Sequence, residues 1–162
     1  MALNNILKRN IYNLMIVFTV FFLDRASKYI ILKKFQTLGE LNLPITPYLN
    51  FNLVWNSGIA FGFLSFNQSI YYNIVTTIII LVTLLIIYFA NKSTGIEKTC
   101  YLMIIGGSFG NIFDRLYYTS VIDFIDINYN NFHWFIFNVA DIFITIGVLI
   151  LIFSEFIKKK ND

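Results

Sequence analysis

The chain has 162 residues, of which 57% are hydrophobic and only 13% charged, and its net charge is +3. Soluble domains carry roughly 25% charged residues, so the composition argues against a water-soluble globule, a disordered chain or a nucleic-acid binder. One cysteine, Cys100, and one histidine, His133, rule out an internal disulfide and a zinc site built from histidines and cysteines.

A helix that crosses a bilayer needs about 20 mostly apolar residues. Four stretches reach that length, which predicts a mainly α membrane protein forming one integral membrane domain over residues 1–162. The first span runs from about Ile11 to Leu32. It resembles a secretory signal, but Asp24-Arg25 stands where a small-residue cleavage site would be, so it reads as a retained helix. An outer connection of about 33–69 follows, too long for a simple turn. In it Leu49, Phe51, Leu53 and Trp55 alternate with Asn50, Asn52, Val54 and Asn56, a period of two that predicts a strand. Leu41, Leu43 and Ile45 repeat that pattern, so a small outer sheet is expected. The second span, about 70–90, is the most apolar; the third, about 98–117, is interrupted by Gly106-Gly107 and Gly110-Asn111. The connection of about 118–136 is rich in aromatic side chains that settle at a membrane–water boundary: Tyr129, Phe132, Trp134 and Phe135. The fourth span is about 137–157.

Basic residues set the orientation, because cytoplasmic flanks are enriched in lysine and arginine. With both termini cytoplasmic, that side holds Lys8, Arg9, Lys92, Lys98, Lys158, Lys159 and Lys160, against Lys33 and Lys34 opposite. Both termini are therefore expected on the inside.

Ionisable groups within spans cost several kcal/mol and normally face a protein interior with a partner. Asp24 and Lys28 are four apart, acid first, which is the favourable order for an ion pair on one helix face. Asn111 and Arg115 share that spacing at the outer end of span three, with Asp114 beside them. Asn138 is a natural N-cap for span four and puts Asp141 in its first turn, so this pair reads equally as a helix cap. The topology gathers Asp114, Asp123, Asp126 and Asp141 in one outer layer.

Carboxyl groups meeting at the edge of a low-dielectric region share protons, and a shared-proton pair is the working state of an aspartic protease. That chemistry needs no metal and no cofactor. Asp114 adjoins Arg115, a permanent cation expected to hold it ionised, and Asp126, three residues after Asp123, reads equally as solvent-facing. Asp123, between Ile122 and Phe124, and Asp141, beside the cap, are the best placed, although spacing alone leaves the choice open.

Five motifs then fall in order along the chain. They are Asp24-Arg25-Ala26-Ser27-Lys28, Asn56-Ser57-Gly58-Ile59-Ala60-Phe61, the run Gly106-Gly107-Ser108-Phe109-Gly110-Asn111-Ile112-Phe113-Asp114-Arg115, Val121-Ile122-Asp123-Phe124, and Phe137-Asn138-Val139-Ala140-Asp141. This series resembles the lipoprotein signal peptidases (signal peptidase II) of bacterial inner membranes, over nearly the whole chain. One departure is that Trp134-Phe135-Ile136 precedes Phe137-Asn138, where many members of that family have a proline.

The resemblance implies four transmembrane helices with a small periplasmic β-sheet and an interfacial helix. It implies an aspartic endopeptidase that removes the signal peptide of diacylglyceryl-modified prolipoproteins, cutting just before the lipidated cysteine at the periplasmic side of the inner membrane. Carried over by position, Asp123 and Asp141 are the catalytic pair. Asn111, Arg115 and Asn138 support it, Asn56 lies near the substrate, and Asp24, Lys28 and Asp114 are structural. The expected partners are the lipid-modified prolipoprotein and membrane lipid, with the enzyme a monomer. Two other readings stand beside this one. A proton-coupled carrier would place its acids near the bilayer midplane with repeat symmetry, and a non-catalytic scaffold would use the same polar residues only to join helices.

Overall fold

The computed structural model describes residues 2–58, 68–130 and 132–161. Among the described residues four helices and four strands follow in order: α1 (Ala2–Leu38), β1 (Asn42–Thr46), β2 (Leu49–Asn56), α2 (Gln68–Lys92), α3 (Gly95–Tyr118), β3 (Val121–Tyr129), β4 (Phe132–His133) and α4 (Val139–Asn161). The fold is therefore mostly helical with one small antiparallel sheet, in the order β1-β2-β3-β4. No helix beyond these four occurs among the described residues. The segment Ile59–Phe61 of the second motif lies outside them.

α1 outruns its expected span at both ends. At 37 residues it is roughly 55 Å long, well beyond a hydrocarbon core. Its flanking lysines and arginine are good helix formers, and the helix stops only at Gly39. That glycine takes φ +69 and donates its N–H to the Phe35 carbonyl at 3.0 Å, a left-handed C-terminal stop. Two helices, Ile70–Lys92 and Val139–Ile157, are long and apolar enough to cross a membrane. In α1 and α3 the apolar run is interrupted by Asp24, Arg25 and Lys28, and by Asp114 and Arg115.

β1 and β2 form where the alternation predicts them, with Leu43 opposite Phe51. The sheet has a second half that the sequence reading did not anticipate. The connection after α3, read only as an aromatic boundary layer, contains β3 and β4. β3 is buried on both faces over Val121–Phe124, so its polar/apolar alternation is faint and the strand looks like an apolar run. It pairs with β2 so that Val54 faces Asp123 and Asn56 faces Val121, which joins the two outer connections in one sheet.

Ile122 and Phe124 on β3 pack against Ile31 and Phe35 of α1, with Phe51 and Val139 beside them, and dock the sheet onto the helices. α3 is the central helix, packed against α1, α2 and α4. Its glycines serve this packing. A Cβ on Gly106 would come within 2.8 Å of Val20, and one on Gly107 within 2.7 Å of the Ala140 carbonyl. The close approach allowed by these glycines is thus to helices α1 and α4. The outward faces are apolar, with Phe18, Phe22, Leu81 and Phe153 exposed, while Asp24, Lys28, Asp114, Arg115, Asp123 and Asn138 are buried.

Candidate active site

A buried ion cluster fixes the helices beneath the sheet. Asp24 and Lys28 lie one turn apart on α1 and pair at 3.0 Å. Lys28 also reaches Asp114 of α3 at 2.7 Å, and Arg25 bridges the same two carboxylates at 2.8 and 2.6 Å. Two acids and two bases thus balance each other, with Asp24, Asp114 and Lys28 buried and Arg25 partly so, which is the condition for holding charge at such depth. Each acid has a further task. Asp24 accepts the Ala140 N–H at 3.1 Å in the first turn of α4, and Asp114 accepts the Ile122 N–H at 3.2 Å in β3. The cluster therefore sets the start of α4 and of β3, the two elements that carry Asp141 and Asp123.

This arrangement corrects one sequence expectation. Arg115 does not pair with Asp114; Lys28 and Arg25 do. Neighbours in a helix point to different faces, and Arg115 turns the other way. It is buried over the Tyr72 ring at 5.4 Å, with the Tyr72 hydroxyl donating to its backbone carbonyl at 2.8 Å. Its guanidinium also lies against Gly58, and its Nε and Nη1 atoms are buried without a hydrogen-bond partner among the described residues. Arg25 was the residue that sequence reasoning missed. Its only signal was its place beside Asp24.

Asp123 and Asp141 meet through Asn138. The Asn138 side chain donates to Asp123 Oδ1 at 2.6 Å, and its carbonyl oxygen accepts the Asp141 N–H at 3.1 Å. Asp141 Oδ2 in return accepts the Asn138 N–H at 3.1 Å, a reciprocal cap on the first turn of α4. The capping reading and the paired-carboxylate reading are thus compatible. The other oxygens are occupied as well: Asn56 donates to Asp123 Oδ2 at 2.8 Å, and Asn111 donates to Asp141 Oδ1 at 2.9 Å. Asp123 is almost fully buried, and its carboxyl is pushed up to about 6. Burial is the main cause, and the Asn56 and Asn138 donors pull the other way while the Asp141 charge adds to the rise.

Asp126 belongs elsewhere. It is 1% exposed, so of its two readings the solvent-facing one fails, and it pairs with His133 Nδ1 at 2.9 Å across the β3–β4 hairpin. Beside the carboxyl pair opens a cavity of about 410 Å³, walled by Phe132, Trp134, Phe135, Phe137, Ile142 and Ile146, with Asp141 in its lining. Among the described residues no cluster of side chains suits a metal ion. Two carboxyls held by amide donors beside an apolar cleft have the parts needed for acid–base hydrolysis of a largely apolar substrate.

Comparison with known proteins gives a consistent result. Residues 16–157 match the family model described as signal peptidase (SPase) II. The chain is 46% identical to the lipoprotein signal peptidase of Pelagibacter ubique (strain HTCC1062), over 99% of each protein. It is 36% identical to that of Pasteurella multocida (strain Pm70), covering 88% of this chain and 86% of the relative. A solved bacterial membrane enzyme, determined by the in meso method at 2.3 Å resolution, superposes with a TM-score of 0.74 at 29% identity. The match covers 93% of this chain and 91% of that one.

Proposed function

The chain belongs to the signal peptidase II family of lipoprotein signal peptidases, and we propose that Asp123 and Asp141 are the carboxyl pair with which it cuts its substrate. The protein is a membrane protease that removes signal peptides from prolipoproteins. The observation that carries the proposal is the double engagement of Asn138, which binds Asp123 through its amide and Asp141 through its carbonyl oxygen and backbone N–H.

In this reading one carboxylate takes a proton from a water molecule as the water attacks the scissile peptide carbonyl. The other, protonated, donates to the carbonyl oxygen. Collapse of the tetrahedral species then breaks the C–N bond and passes a proton to the leaving amine. The near-neutral titration of Asp123 suits a group that must both hold and release a proton close to physiological pH. Asn111 and Asn138 position the pair. Asn56 binds Asp123 beside Gly58, and next to that glycine the Arg115 guanidinium, whose Nε and Nη1 have no hydrogen-bond partner among the described residues, suits contact with the substrate backbone.

The apolar outer faces of all four helices support four membrane spans in one domain over residues 1–162, and we read the enzyme as a monomer. The lysine and arginine bias supports cytoplasmic termini and a periplasmic site in the bacterial inner membrane. The substrate is then the diacylglyceryl-modified precursor, cut just before its lipidated cysteine, with the aromatic cavity beside Asp141 suited to its apolar groups. The test is incubation of purified protein with the lipidated precursor and, separately, the unmodified one. Cleavage of the first alone is expected, and it is expected to vanish in Asp123→Asn and Asp141→Asn variants that still insert and fold. A folded Asp141→Asn variant that still cuts would refute the assignment of the pair.

A further inference from the structure

Three asparagines touch the carboxyl pair, and in each the orientation of the amide is dictated by what holds its oxygen. Asn138 Oδ1 faces the Asp141 backbone N–H at 3.1 Å, and Asn56 Oδ1 faces the Gly58 backbone N–H at 2.7 Å. A backbone N–H can only donate, so each side-chain NH2 is left pointing at Asp123. Asn111 is different, because its orienting donor is a side chain. Its Oδ1 accepts from Lys28 Nζ at 3.0 Å, and its NH2 then donates to Asp141 Oδ1 at 2.9 Å.

The Lys28 ammonium has three N–H bonds and three acceptors within reach: Asp24 at 3.0 Å, Asp114 at 2.7 Å and Asn111 at 3.0 Å. At 1% exposure it is shielded from bulk solvent, and the third N–H goes to Asn111. An ammonium accepts nothing, and the amide cannot turn over without setting its NH2 against a cation. Without that cation the amide is free to rotate and offer its oxygen to Asp141, where it would repel a carboxylate instead of holding it.

On the premise that Asp123 and Asp141 do the chemistry, we propose that Lys28 is a positioning residue for cleavage, acting through Asn111 to orient Asp141. Its role therefore exceeds charge balance in the ion cluster. Lys28 links the structural charges between α1 and α3 to one reacting carboxylate, and its effect reaches the reaction through one neutral side chain.

The experiment is a double-mutant cycle of Lys28→Met and Asn111→Ala, with kcat and KM measured on the diacylglyceryl-modified precursor in lipid vesicles. Lys28→Met is expected to lower kcat roughly 10- to 100-fold, the scale of a misplaced catalytic group. KM should stay within about twofold of the parent, because binding of the precursor is not altered. Added to Asn111→Ala, Lys28→Met should cost nothing further. A multiplicative loss in the double variant, or a loss carried by KM, overturns the proposal. Lys28→Met leaves the ion cluster one charge short, so the same cycle is run in an Asp114→Asn background, where cluster charge balances. If Lys28→Met folds in neither background, Lys28 is a structural strut and the proposal fails. Asp141→Asn is the separate control: activity in that variant defeats the carboxyl-pair reading whatever the cycle shows.

Discussion

Asn138 donates to Asp123 at 2.6 Å while capping the helix that carries Asp141, so one side chain ties the strand and the helix of the site together. The two tasks are separable. Serine caps a helix as well as asparagine does but is too short to extend an NH2 to Asp123. Asn138→Ser is therefore expected to lose less thermal stability than Asn138→Ala, by about the 1 kcal/mol that a cap is worth. Cleavage should fall on the order of 10- to 100-fold through loss of positioning. Asn138→Ala removes both functions and should lower stability as well. The paired measurements are thermal unfolding in detergent and the cleavage rate on a lipidated precursor. Equal activity of Asn138→Ser and the parent would leave Asn138 as a cap alone.

The buried ion cluster predicts a stability effect that is not symmetric among its members. Asp114 neutralises both Arg25 and Lys28 and also anchors the Ile122 N–H. Asp114→Ala leaves Arg25 and Lys28 to share the single carboxylate of Asp24, one positive charge in excess, and frees a buried donor. Breaking such a pair costs about 3–5 kcal/mol, so this variant should accumulate poorly and unfold at lower temperature. Asp114→Asn keeps an acceptor for Ile122 and should be milder. Thermal unfolding of both variants, in detergent and in vesicles, measures the difference; similar losses in the two would contradict the anchoring role of the Asp114 oxygen.

Much of this arrangement was legible in the chain, and what was hidden was hidden for definite reasons. The apolar runs of α2 and α4 stand out by hydropathy, and the alternation of Leu49–Asn56 marks β2. The Asp24–Lys28 spacing anticipates their contact because residues four apart share a helix face. By the same geometry Asp114 and Arg115, adjacent in sequence, diverge, and adjacency misled where helical phase was needed. β3 was obscured because Ile122, Asp123 and Phe124 are all buried, the acid by its two asparagines and the apolar pair by α1. The pairing of Asp126 with His133 depends on a hairpin whose existence no periodicity announced.

Burial of Asp123 predicts a pH-dependent stability with a definite sign. Its carboxyl titrates near 6 in the folded protein against an ordinary 3.8, so between those values the folded state holds the proton more tightly than the unfolded chain. The contribution is fully present below about pH 4 and is lost as pH rises through 6, amounting to about 3 kcal/mol. Thermal unfolding from pH 4 to pH 8 should therefore show the parent losing stability relative to Asp123→Asn, which has no proton to release. Parallel curves for the two proteins would mean that Asp123 is not desolvated in the folded state.

Gly58 and Gly39 offer a matched pair for separating backbone strain from site geometry. Both adopt left-handed φ, +73 and +69, where a residue with a Cβ loses roughly 1–2 kcal/mol. A Cβ on Gly39 would meet nothing within 4 Å, so Gly39→Ala should cost that strain and leave cleavage intact. A Cβ on Gly58 would come within 2.8 Å of an Arg115 guanidinium nitrogen. It would also disturb the turn in which the Gly58 N–H holds Asn56 Oδ1 at 2.7 Å, the contact that aims the Asn56 NH2 at Asp123. Gly58→Ala should therefore match Gly39→Ala in thermal stability but lose at least about tenfold in cleavage rate, since the misplacement reaches a reacting group. The comparison needs only unfolding temperatures and initial rates for the two variants. Equal rates would show that the Gly58 turn tolerates a side chain and that neither Asn56 nor Arg115 depends on it for placement.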